Sequence, residues 1–349
     1  MNKKSLMHYF KGSLITAVVG IVMAMGFVAY QERNLVLVLQ AGLTAILLAV
    51  LEVSLSFDNA VVNATVLKRM SDLWRHRFLT WGILIAVFGM RLIFPLVIVS
   101  VVAKIDPISA LSLSLTDPKS YAEMMFSAHI PVSAFGGMFL LMVFIHYFFD
   151  EEKETHWIQF IEKQMSRAAQ FKGAEIVITL LVLLTLSHTV PEEAKQTFLI
   201  SGVWGIITFM VVHGLSELIE SQQIKLTGVV ASAGFGLFLY LEILDASFSF
   251  DGVIGAFALT NSLFQIMIGL GIGAFFVRSL TIYLVENETL DHFKYLEHGA
   301  FYALGCLAFL MLFDTILHIP EWLTGLSGAL ILGLSIFWSI KENGQKRTE

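Results

Sequence analysis

Runs of about twenty apolar residues recur along the whole chain, and a helix needs about that length to cross the hydrocarbon core of a bilayer. Roughly ten such runs lie near 13–30, 35–57, 78–103, 130–149, 174–190, 197–213, 227–250, 263–285, 299–318 and 322–340. Charge is correspondingly scarce, at 14% of residues against 56% hydrophobic, where a soluble domain carries about 25% charged residues. That balance excludes a soluble globular domain, a disordered chain and a nucleic-acid-binding protein. The predicted fold is all-α, a polytopic helical membrane protein of about ten transmembrane helices. The net charge of −6 says little about partners, because part of it sits inside the apolar runs. A lone Cys306 in an apolar run allows no disulfide framework.

The order of the runs predicts six regions: an N-terminal transmembrane helix (1–33), a first three-helix unit (34–150), a charged linker helix (151–173), two connecting helices (174–225), a second three-helix unit (226–320), and a last helix with a polar tail (321–349). The first run follows Lys3, Lys4 and Lys11 and is too long, with no small-x-small site after it, for a signal peptide. The linker starts acidic and ends basic, with Trp157, Ile158, Ile161 and Met165 spaced as on a surface helix, so it reads as a solvated connector between two membrane halves. Basic residues set the orientation. With the N-terminus in the cytoplasm, the Lys68–Arg77 loop, the linker, Lys225, Lys294 and the Lys341–Arg347 tail all fall inside, leaving Arg33, Lys104, Lys119 and Lys195 outside. The expected location is a cell inner (plasma) membrane, with both termini cytoplasmic and the lipid bilayer as partner.

Two segments 193 positions apart share the pattern acid-x-Ser-apolar-Ser-Phe-Asp: Glu52 to Asn59, and Asp245 to Gly252. The following run carries one arginine in each copy, Arg91 and Arg278. The run after that pairs a glycine with a polar residue nine positions on, Gly137 with His146 and Gly305 with Asp314. The first motif leads into a basic loop and the second into the uncharged Asn261–Ser262 turn, so the two units run in opposite directions through the membrane. Inverted repeats of this kind characterise secondary transporters with binding sites near the midplane.

An ionised carboxylate at a helix centre costs about 2.5–3.5 kcal/mol on insertion scales. Glu52, Asp58, Glu242, Asp245 and Asp251 therefore call for neutralisation by protons, by the two arginines, or by a bound cation. Five acids against two arginines leave an excess that a divalent cation plus a proton would balance. On an unbroken helix the acids six apart diverge by about 120°. The expected remedy is a helix break at Asp58-Asn59 and at Asp251-Gly252, which would turn the second acid back and free carbonyls for an ion. The predicted metal ligands are Glu52, Asp58, Asn59, Glu242, Asp245 and Asp251, with Ser56, Ser249, Arg91, Arg278, His146 and Asp314 as auxiliaries. An all-oxygen set suits hard cations such as Mg, Ca or Mn. The serines read equally well as small packing residues, and the arginines as clamps between repeats.

At these residues the sequence resembles the TerC family of integral membrane proteins, within the wider group of LysE-like exporters. Leu51 to Ala60 is similar to that family's LExxLSxDNA motif, and Glu242, Asp245, Phe248 and Asp251 fall on the spacing of its second motif. Gly252 and Gly255 stand where a Ser and a Pro usually follow, and Asp314 where a lysine is usual, which marks a divergent branch. The resemblance covers roughly 35–150 and 226–320. It implies export of a metal ion, most often manganese, and an older association with tellurite resistance.

The resulting expectation is a transporter rather than an enzyme: an exporter of a divalent cation, Mn2+ before Mg2+ or Ca2+, working by proton antiport. Two alternatives stay open. Phe57, Phe248 and Phe250 could receive a cationic metabolite such as lysine, and the chain could bind or load metal without moving it. A protease using Asp58 and Asp251 as a dyad leaves three further acids without a role.

Overall fold

A computed structural model describes residues 5–150, 155–171, 173–221, 234–287, 289–317 and 319–345, and among them the chain is helical with no strand. In order the helices are α1 (Leu6–Glu32), α2 (Leu35–Leu55), α3 (Phe57–Arg69), α4 (Asp72–Leu84), a π-helical segment (Ile85–Ile93), α5 (Phe94–Ala103), α6 (Pro107–Thr116), α7 (Pro118–Ser127), α8 (His129–Phe148), α9 (Gln159–Ala169) and α10 (Ala174–Ser187). They continue with α11 (Glu192–Ser221), α12 (Phe235–Phe257), α13 (Leu263–Glu286), α14 (Thr289–His292), α15 (Leu296–Asp314) and α16 (Glu321–Gln345).

Among the described residues, eight helices are long and apolar enough to cross a membrane. The ten expected runs differ from these at two places. The run at 174–190 becomes α10, only 14 residues long, and its axis meets that of α9 at 110°. Gly173 forms the corner at φ 84°, a left-handed conformation that costs glycine little. The run at 227–250 becomes α12, which is long enough at 23 residues but carries Glu242, Asp245 and Asp251. Residues 227–233 of that run lie outside the described residues.

The helices form two compact units. The first comprises Met1–Ser56, His76–His129 and Phe248–Tyr283. Here α1, α2 and α13 meet through small residues: Ala24 and Ala45 pack with Ile268 and Ile272, and a Cβ on Gly20 would lie 2.8 Å from Ile272 Cδ1. The opposite faces of α1 and α2 expose Val18, Val22, Leu43 and Val50, as lipid-facing helices do.

The second unit comprises Phe57–Arg75, Ile130–Ser247 and Leu284–Glu349. Its centre is the pair α8 and α15, joined by the two glycines that the repeat matches. A Cβ on Gly137 would lie 2.7 Å from Leu312 Cγ, and one on Gly305 2.5 Å from Phe144 Cδ2. Gly305 stands 168 positions after Gly137, and Leu312 the same distance after Phe144. The contact is therefore reciprocal and antiparallel, as when one surface meets an inverted copy of itself. Glycine is required at both places because the backbones approach too closely for a side chain. Helix α3 packs across α15 and α16.

The linker departs from the solvated connector expected of it. Residues 151–154 and 172 lie outside the described residues, but Glu162 of α9 is only 2% exposed. Its carboxylate accepts from the backbone N–H groups of Trp157 (3.1 Å) and Ile158 (3.0 Å) and from the Tyr302 hydroxyl (3.2 Å). His156 Nδ1 lies 3.3 Å away and His298 Nε2 3.7 Å. A carboxylate beside the free N–H groups of a helix start is well placed electrostatically. One buried acid thus ties α9 to α15, a role that the surrounding charged residues conceal in the sequence.

Candidate cation site

In the second unit the repeat brings residues of both motifs together. Asn59 Nδ2 donates to Asp245 Oδ1 at 2.8 Å, and Asn63 Nδ2 donates to the same oxygen at 3.0 Å. Both asparagines are buried, on one face of α3 four residues apart, while Asp245 is half-buried on α12. Asn59 Oδ1 and Asn63 Oδ1 are buried with no hydrogen-bond partner among the described residues. Asp58 is 5% exposed, accepts from the Asn59 backbone N–H at 3.0 Å, and lies next to Gly328 of α16, whose Cβ position is 3.5 Å from Asp58 Oδ2. Glu242 is buried one helical turn before Asp245. The cluster offers oxygen donors alone.

Asn63 is the residue that the motif reading missed. It follows Asn59 by four positions, so a helical-face count was the available signal.

In the first unit the equivalent acid is Glu52, 2% exposed, and it is held differently. Ser56 Oγ donates to Glu52 Oε1 at 3.0 Å, and Arg91 Nη2 forms an ion pair with the same oxygen. The guanidinium also donates to the Ala86 carbonyl, inside the π-helical segment. A π-helix shifts backbone bonding to the fifth residue and re-aims side chains, and such segments concentrate at functional sites. No apolar periodicity signals it in the sequence. A Cβ on Gly252 would lie 3.3 Å from Glu52 Oε2. Since Gly252 is the counterpart of Asn59, and Ala256 of Asn63, the second copy carries no amide at either position.

The two expected helix breaks are corrected here. The first motif does break, but at Ser56 (φ −107°, ψ 16°), two residues before Asp58, where Ser56 N–H still bonds to Glu52 O. The second motif does not break: α12 is continuous through Asp251 and Gly252, and Ser247 Oγ bonds back to Ile243 O at 3.0 Å, as in a regular helix. One glycine without a proline does not force an α-helix open. Among the described residues no group of three His, Cys, Asp or Glu is arranged to hold a metal ion. Glu52 and Asp245 fall in different units, and the side chain of Asp251 lies outside the described residues.

Of the auxiliaries, Ser249 is buried with an unpartnered Oγ, and the Arg278 guanidinium lies 4.4 Å over the Phe78 ring. Asp314 accepts from the Ile319 N–H and so caps the end of α15. His146 Nδ1 lies 3.1 Å from Glu175 Oε2 and its ring 4.1 Å from that of His213, on the wall of a cavity of about 730 Å³ shared with Arg69, Tyr147 and Glu297.

The family described as "Protein of unknown function (DUF475)" matches residues 57–346. The chain belongs to this family. The match opens at the second half of the first motif, with Phe57, Asp58 and Asn59, and takes in all of the second. Neither a curated protein nor a solved structure matches the chain significantly.

Proposed function

We propose that this DUF475 protein is a secondary transporter for a hard divalent cation, and that Asp245, Asp58, Asn59 and Asn63 contact the ion. One observation carries the reading: a half-buried Asp245 oxygen is held by two amides, while the two amide oxygens beside it have no partner among the described residues. An arrangement built only to stabilise the fold would satisfy those oxygens, because a buried unmet acceptor costs about 1–3 kcal/mol. A cation that sheds its water at the site would meet them. Asp58 and Asp245 are the carboxylates that a divalent ion would meet there. The inverted repeat supports alternating access, and desolvated acids make proton antiport a workable coupling. Manganese, which the TerC resemblance implies, is the first cation to examine, and export from the cytoplasm the first direction.

The test is cation flux into proteoliposomes holding a metal-sensitive dye, comparing Mn2+, Mg2+ and Ca2+ for wild type and Asp245→Asn. Selective flux that disappears in the variant, with an unchanged melting temperature in detergent, supports the reading. Flux that persists in the variant removes Asp245 from the site. Binding without flux in the wild type would favour a metal-loading role, and competition by lysine a cationic metabolite.

A further inference from the structure

Beside the docked linker, unit two holds a second groove, of about 1410 Å³, that the cation site does not use. Its wall changes character along its length. Ile331, Leu334 and Trp338 of α16 face it with Cys306 of α15, all within membrane-crossing helices. At the other end stand Lys163 of α9, Lys294 before α15 and Lys341 at the end of α16, all exposed. The acid lining this end is Glu342, which accepts from Lys294 Nζ at 2.7 Å and from the Tyr295 hydroxyl. That hydrogen bond raises the Lys294 pKa above its ordinary value, so its ammonium stays charged. Among the described residues, three lysines against one carboxylate leave the polar end positive.

A groove that is aliphatic inside the membrane and cationic at its edge matches one class of ligand. We propose that it holds an anionic phospholipid, with its phosphate at Lys163 and Lys341 and an acyl chain along Ile331 and Leu334. The 110° corner between α9 and α10 favours this occupant. If α10 enters the bilayer steeply, α9 lies near the membrane plane and brings Lys163 and Arg167 to headgroup level, with exposed Phe160 (77%) and Phe171 (67%) reaching toward the acyl boundary. Basic pockets at helix ends bind anionic headgroups in this way. Buried Glu162 fixes α9 in the position that completes the groove.

Trp157 and Trp338 both line the groove and report on its contents. The full chain would be reconstituted in phosphatidylcholine bilayers containing a small fraction of brominated phosphatidylglycerol or, separately, of brominated phosphatidylcholine, and tryptophan quenching compared. The anionic lipid should quench more strongly, and the excess should vanish when Trp157 and Trp338 are replaced by Phe. Lys163→Gln and Lys341→Gln should each weaken the anionic preference by about fivefold. The proposal is overturned if both lipids quench wild type equally or if the double lysine variant keeps its preference. Erasure of the preference by millimolar inorganic phosphate would also overturn it, since the groove would then take the free anion.

Discussion

Glu52 and Asp245 occupy the same position in two copies of one motif, yet the protein treats them as different problems. Glu52 meets a guanidinium and a serine hydroxyl, so its charge is cancelled within the first unit. Asp245 Oδ1 instead accepts from two amides, Asn59 and Asn63. The difference follows from two small substitutions: Asn59 and Asn63 in one copy correspond to Gly252 and Ala256 in the other. Where the amides are absent, Arg91 fills the place, aided by the π-helical segment that carries it. The two copies of the motif thus differ in what surrounds the matched acid: a guanidinium and a hydroxyl at Glu52, two amides at Asp245.

The largest expected effects test that division directly. Asp245→Asn should abolish cation flux with little change in thermal stability. Glu52→Gln should leave Arg91 buried without its counter-charge and cost about 3–5 kcal/mol of stability, read from detergent or urea melts. Making the Glu52→Gln and Arg91→Gln changes together should recover most of that loss, because removing both members of a buried pair is far milder than removing one. If Glu52→Gln instead abolished flux at full stability, the two halves would share the work and the contrast would fail.

The asparagines come next. Asn59→Ala or Asn63→Ala should cost about 1.5–3 kcal/mol, the range for hydrogen bonds to charged groups, and should weaken cation binding in equilibrium titrations. Gly137→Ala and Gly305→Ala should each cost about 1–3 kcal/mol through overpacking of α8 against α15. Similar losses in the two variants would bear out the reciprocity of that contact; a loss in only one would deny it. The smallest effect is a restoration. Gly252→Asn in an Arg91→Gln background should return about 1 kcal/mol by offering Glu52 the amide that its counterpart enjoys.

Much of the architecture was legible in the sequence because lipid leaves few choices. Apolar length fixes spans, and the matched glycines at 137 and 305 mark where α8 and α15 touch. The motif acids were equally plain, since carboxylates in apolar runs stand out. Their partners were harder to read. Which of Glu52 and Asp245 would meet Arg91 depends on a π-helical register that leaves no periodic trace, and the continuity of α12 depends on tertiary packing around Gly252. Helix α9 misled for a related reason: a segment rich in charge looks solvated until one of its acids, Glu162, is found surrounded by donors.

The Asn59–Asp245 bond spans 186 positions of chain, which has a consequence for how the protein is made. At a synthesis rate of about 5–20 residues per second, α3 leaves the ribosome roughly ten to forty seconds before α12 does. Through that interval two buried asparagines have no aspartate to serve, and they must shelter against earlier helices, lipid headgroups or the insertion machinery. The asparagine–aspartate contact is thus one that only the finished second motif can complete.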